Sequence, residues 1–314
     1  MSIDLTPLNS QTRILLEVPL RPVQGRRFQP TGFPDLGAAT YQAGGTACLL
    51  VESAQSMANR LEMTTWDEGK EDLLDCLQGL SYIRVLDDKG NYLTSSIVES
   101  HRINSPYILE GADKSFFNQL REDFSVMESG PIDRAKLAQT LFKYDINSLL
   151  HGVFLAKKEL AGGRLRISRV ISSFIEAEMV QVAASGGVKN DRVNPQGDTG
   201  KGFGNVPFQR EEYTAEKITA FFSVDLQQIR AYGLGAEVER LLTVLALFKI
   251  RRLLDGNLRL RTACDLEVAN EGAIMANRPK GFALPEVAAL ESELRTCIGK
   301  IKSQMETTTV KYKK

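Results

Sequence analysis

Four stretches of this chain alternate apolar and polar residues with a period of two, and none of them can bury its apolar face without pairing into a sheet. In "RILLEVPL" Ile14, Leu16, Val18 and Leu20 share one face. "KITAFFSVDL" does the same with Ile218, Ala220, Phe222, Val224 and Leu226, and "NLRLRTACDLEV" with Leu258, Leu260, Cys264, Leu266 and Val268. The fourth stretch, "RISRVISSFIEAEMVQVA" at 166–183, alternates less cleanly and predicts a strand with a bend or bulge. Two amphipathic helices fall between the strands. Over 50–62, Ala54, Met57, Ala58 and Leu61 recur at helical spacing and leave Gln55, Asn59 and Glu62 on a polar stripe. Over 236–256 a broad apolar face runs to a terminal glycine. The order strand, helix, strand, strand, helix, strand predicts an α+β fold of the RRM or ferredoxin-like βαββαβ kind, carrying large insertions.

The first insertion, 63–164, reads as mostly helical, with one hairpin signal at "YIRVLDDKGNYLTSS". The second, 184–212, is polar and glycine-rich, and a loop of that length in a compact domain is functional or disordered. Residues 269–303 read as a C-terminal helical segment and 304–314 as a frayed tail. Lys and Arg number 39 against 39 Asp and Glu, so no bulk field draws the chain to nucleic acid or membrane, and any anion site must be local. No apolar run approaches the roughly 18 residues of a membrane span, and a cytoplasmic location without membrane contact is expected. The four cysteines lie far apart with no CxxC pair and only two histidines accompany them, which predicts buried thiols and no metal or cofactor.

Local charge is uneven. From 157 to 210 nine Lys or Arg face five acids, and Arg21, Arg26 and Arg27 leave the first strand in "RPVQGRRFQPTGFPDLG". That stretch lacks the lysine and hydroxyl of a nucleotide-binding loop. Its prolines fix φ and its glycines permit sharp turns, so it reads as a stiff loop presenting arginines. "KGFGNVPF", 201–208, agrees with the RNA-stacking strand signature at six of seven specified positions, Asn205 being the mismatch. Pro207 and the preceding run of loop residues argue instead for a hairpin that touches a partner or a phosphate. His151 is expected on the first turns of a helix, on one stripe with Lys158 seven residues on, as a surface or capping residue or an RNA contact.

Taken together, "LLEVPLRPVQGRRFQPTGFPDLGAATY", "LVESAQSMANRLE", "YDINSLLHGVF", "SGGVKNDRVNP" and "LRLRTACDLE" resemble, in that order, the Csb-one group of the Cas-seven family within the RAMP superfamily. The resemblance runs from about residue 12 to 300. It implies a crRNA-binding backbone subunit of type I-U, also called I-G, CRISPR effector complexes, several copies of which polymerise along the guide. It implies an RRM-like palm over 12–62 and 165–268, a finger-like region at 63–164 facing target DNA and a thumb-like insertion at 184–212. Partners would be crRNA, target DNA through the guide, other copies of the chain, and the large and Cas-five/Cas-six-like subunits. A protein that holds any guide grips the backbone rather than the bases. Candidate RNA-binding residues are therefore Arg21, Arg26, Arg27, Gln29, Gln55, Ser56, Asn59, Arg60, His151, Arg169, Lys189, Arg192 and Lys201. The flanking acids Glu52 and Glu62 leave the first helix only mildly attractive to an anion.

The alternative to a non-catalytic scaffold is a metal-dependent endoribonuclease. Related subunits of type III complexes use an aspartate after the first strand, where Asp35 stands here, yet no second acid lies nearby in the loop to complete an ion site. The scaffold reading predicts that the assembled complex leaves complementary RNA intact in Mg²⁺. Cuts at regular spacing that disappear in Asp35→Ala would establish the nuclease instead.

Overall fold

A computed structural model describes residues 3–33, 37–256, 258–270 and 272–313. The elements that position the candidate site are, in chain order, β1 (Arg13–Pro22), β2 (Thr40–Ala43), β3 (Thr46–Glu52), α1 (Ala54–Met63), β4 (Tyr82–Leu86), β5 (Tyr92–Ser95), α2 (Ile146–His151), β6 (Ile171–Glu178), β7 (Gln181–Lys189), β8 (Val206–Thr214), β9 (Lys217–Asp225), α3 (Ala236–Gly256), β10 (Leu258–Arg261), β11 (Cys264–Val268), α4 (Val287–Ile301) and β12 (Thr307–Lys311).

Seven of these strands form one antiparallel sheet in the order β10-β11-β1-β9-β6-β3-β2. The alternation dictates the register: Ile14, Leu16, Val18 and Leu20 lie opposite Val224, Phe222, Ala220 and Ile218, all buried on one face. α1 and α3 supply the apolar partners for that face; Met57 and Leu61 of α1 and Leu241, Leu245 and Phe248 of α3 are almost fully buried. On the opposite face Phe174 of β6 stacks on Phe221 of β9, with ring centroids 5.0 Å apart.

Several boundaries differ from the sequence reading, each for a local reason. The helix expected over 50–62 begins at Ala54, because Ser53 caps it by accepting from the Ser56 amide, and the preceding apolar run 46–52 is a strand. The strand expected over 166–183 is three strands, Leu165–Ile167, β6 and β7, with a register shift at Ile175/Glu176. The stretch 258–268 is a hairpin rather than one strand. α-Helix occupies only 287–301 of the C-terminal segment, followed by one 3-10 turn at Lys302–Gln304. Residues 307–311, expected to fray, form β12, which pairs in parallel with β4 of the insertion. The hairpin read at "YIRVLDDKGNYLTSS" is the antiparallel pair β4–β5, and β12 adds to it to make a three-stranded sheet. No helix among the described residues is long and apolar enough to cross a membrane, and all four cysteines are free and buried.

The 184–212 insertion is mostly hairpin. β7 and β8 pair antiparallel from Gln181–Thr214 out to Lys189–Val206. Gly187 lies against the ring of Phe208, where a Cβ would meet ring carbons at 3.3 Å. The tip folds around Asp191, whose carboxylate accepts from the amides of Val193, Asn194 and Gly204 at 2.8–2.9 Å and is held below the usual carboxylate range by them.

At the other end of the hairpin, the arginine loop is stitched down. Phe28 exchanges backbone hydrogen bonds with Tyr213 at 2.9 and 2.8 Å, Gln29 donates to the Ala263 carbonyl and Thr31 to that of Val51. Phe28 is 1% exposed, so its ring anchors loop and hairpin base to one core. Phe28→Ala is expected to cost about 3–5 kcal/mol, measured by urea unfolding, and to make the β7–β8 stem more sensitive to protease.

Candidate nucleic-acid interface

The candidate residues fall into three groups. Arg26 and Arg27 are exposed at the tip of the arginine loop, where Gly25 adopts φ +70°, and make no ion pair among the described residues. Arg21 is not with them: it lies within β1 and pairs with Glu267 across the sheet at 2.8 Å. Gln29 anchors the loop through its backbone, its carbonyl accepting from Arg261 at 2.7 Å. Asp35 lies outside the described residues.

The second group is on α1. Gln55 and Asn59 are exposed and hydrogen-bond to each other at 3.1 Å, and Arg169 joins them by donating to the Gln55 side chain and, at 3.3 Å, to the Ala54 carbonyl. Ser56 and Arg60 turn away from this patch. Both contact Glu52, and Arg60 also donates to the Leu260 carbonyl at 2.6 Å. Glu52 is 1% exposed and is further paired with Arg261. The carboxylate that would have opposed an anion is therefore consumed inside the protein.

Glu62 ends the same way. The polar stripe dives into the core there: Glu62 receives Arg102 through Nε at 2.6 Å and Nη2 at 3.0 Å, and the Asn147 amide at 2.7 Å. Lys249 of α3, also buried, donates to the Asn147 side-chain oxygen at 3.0 Å. Burial drives the Lys249 ammonium down to about 7, with nearby Arg102 adding to the effect and Glu62 and Asp145 opposing it. Burial raises Asp145 to about 6 despite hydrogen bonds from Ser148 and Ser96.

His151 is a correction. It ends α2 rather than opening a helix, Lys158 lies outside any helix, and the imidazole is 1% exposed with no protein hydrogen bond to either nitrogen. Burial, with Lys249, Arg102 and Arg169 nearby, keeps it neutral. It is a core residue and cannot touch RNA from this position.

The third group, Lys189, Arg192 and Lys201, is exposed on and beside the hairpin tip with Val193 and Phe203. "KGFGNVPF" thus spans the tip and the start of β8, outside the seven-stranded sheet. Among the described residues no three His, Cys, Asp or Glu side chains are grouped to hold a metal ion.

Residues 14–182, more than half of the chain, match the model of the family described as CRISPR-associated protein GSU0053. The chain belongs to this family. The GSU0053 proteins are CRISPR-associated proteins of the Cas-seven type, and the matched residues hold α1, Arg102 and Arg169 but end as the hairpin begins. Two solved chains are similar in outline. One, of a "CRISPR RNA-guided surveillance complex, pre-nicking", is 13% identical with a TM-score of 0.42 and covers 81% of this chain and 76% of that one. The other, of a "CRISPR RNA-guided surveillance complex", is 12% identical with a TM-score of 0.30 and covers 93% and 88%. No curated protein sequence matches the chain.

In this GSU0053-family chain the sequence reading missed Arg261 and Arg210. Both line an open groove between the arginine loop and β8, together with Gln29, Thr31 and Gln209. Arg261 was concealed because it sits at the hairpin turn that the single-strand reading of 258–268 overlooked.

Because the folded pKa of Lys249 lies below its unfolded value, the unfolded chain binds the extra proton between about pH 7 and 10.5, and stability from this group rises with pH across that window. Lys249→Met removes the penalty. Its stability gain over the wild type should be largest near pH 7 and shrink by pH 9.5 in urea titrations; a gain independent of pH would contradict the burial of a titrating amine.

Proposed function

We propose that this chain is a non-catalytic, guide-RNA-binding backbone subunit of a CRISPR interference complex. Several copies line up along the crRNA, and target DNA is recognised by pairing with the guide. Family membership supports the CRISPR setting. The strand order supports an RRM-type palm: the four strands read from sequence adjoin as fourth, first, third, second, with α1 and α3 on one face. The β7–β8 hairpin is the thumb and the 63–164 region the finger-like part that faces target DNA.

The observation that carries the RNA reading is the sorting of charge on and around α1. Glu52 and Glu62 are both buried in ion pairs, while Gln55, Asn59 and Arg169 face outward. Amides and a guanidinium suit sugars and phosphates and carry no base preference. Arg26 and Arg27 on a clamped loop, and Lys189, Arg192 and Lys201 on the hairpin, add cationic contacts of the same kind. The further partners are the large and Cas-five/Cas-six-like subunits.

Fluorescence anisotropy with labelled single-stranded RNAs of several sequences tests this. Binding should weaken with salt at a log-log slope of roughly 0.7 per phosphate neutralised. Arg26→Ala with Arg27→Ala should weaken all sequences alike and lower that slope. Salt-insensitive binding, or loss confined to some sequences, would count against a backbone grip.

A further inference from the structure

α1 carries Gln55, Asn59 and Glu62 on one stripe, and only the last is buried. Glu62 is seven residues, or about 10 Å, along the helix from Gln55, so its contacts govern the helix at the opposite end from the Ser53 cap. The partner it chooses comes from the inserted region. Arg102 is 6% exposed, its backbone sits in the left-handed region at φ 52°, and its guanidinium reaches Glu62 on one side and the Gly152 carbonyl at 3.0 Å on the other. A non-glycine residue keeps that conformation only where its surroundings hold it.

The contacts continue from Gly152. Its Cα packs so closely on the chain leaving the inserted region that an added Cβ would meet the Ile167 carbonyl at 2.8 Å and the Arg169 nitrogen at 3.1 Å. Arg169 then reaches back to Gln55 and the Ala54 carbonyl. Glu62, Arg102, Gly152, Arg169 and Gln55 therefore form a closed ring of contacts that starts and ends on α1 and passes through the inserted region.

We propose that Glu62 is a positioning residue for the outward face of α1: through Arg102 it makes the inserted region set the angle at which Gln55, Asn59 and Arg169 meet RNA. This role rests on the RNA-binding reading of that face. Asn147 of α2, which is part of the inserted region, donates to the same carboxylate, and Lys249 of α3 donates to Asn147 in turn, so the joint ties α1 and α3 to the insertion.

The test uses the full chain and labelled oligouridine. Glu62→Gln leaves Arg102 buried without its countercharge, and it should lower RNA affinity about tenfold, the equivalent of one charged contact. The salt slope should fall by about 0.7, as one phosphate contact is lost. Amide exchange over 54–63 should quicken. Leu294→Ala, a cavity in the buried face of α4, serves as the destabilised control and should change neither affinity nor slope. Should Glu62→Gln fail to fold, Glu62→Gln with Arg102→Gln keeps a neutral hydrogen-bonded pair and should show the same loss. Wild-type affinity and slope in the folded Glu62 variants would overturn the role, as would an equal loss in Leu294→Ala. A wild-type chain that binds no RNA would instead sink the RNA reading, and this role with it.

Discussion

The pairing of β1 with β9 is the contact on which the rest of the molecule depends. It joins residues 13–20 to residues 218–225, and the chain between them leaves the sheet and returns. Closing so long a loop costs little more than closing one of half the length, because the entropy grows only with the logarithm of loop size. What it requires is two strands with unmistakable apolar faces, which β1 and β9 provide. Once they pair, β11 and β6 add on either side, and the arginine loop and hairpin emerge from fixed points on the sheet.

The second organising fact is what happens to charge. A chain with equal numbers of acids and bases presents a cationic face only where its charges are segregated, and around α1 interior ion pairs take the two nearest acids out of reach of solvent. Glu52 is taken by Arg261 and Arg60, and Glu62 by Arg102. Buried pairs of this kind contribute little net stability compared with apolar packing, but breaking one leaves an uncompensated charge. Their effect here is to fix which side chains of α1 remain for solvent.

The elements with strong period-two or period-3.6 patterns were legible in the sequence: β1, β9, α1 and α3 lie where the alternation of Ile14 to Leu20, Ile218 to Leu226 and Met57 to Leu61 puts them. What escaped was set by contacts between distant residues. Thr307–Lys311 carries no core signal and becomes a strand because β4 offers it an edge. His151 and Glu62 look like surface polar residues by periodicity, yet both are buried, Glu62 against Arg102 and Asn147 of the inserted region and His151 within that region at the end of α2. Arg21 and Arg60 read as free cations in sequence, and each has a partner more than 190 residues away, Glu267 and the Leu260 carbonyl. One-dimensional patterns register faces, while partners of single polar groups are decided in three dimensions.

The parallel pairing of β12 with β4 has a consequence for biosynthesis. Strand Tyr82–Leu86 of the insertion leaves the ribosome long before Thr307–Lys311 exists. At 5–20 residues per second the interval is about 10–45 s. Throughout that time one edge of β4 stands open, and at its start β6 and β9 have not yet been made either. The nascent chain must therefore tolerate an exposed strand edge for most of its synthesis, and the insertion reaches its final packing only when its own closing strand emerges at the far end of the chain.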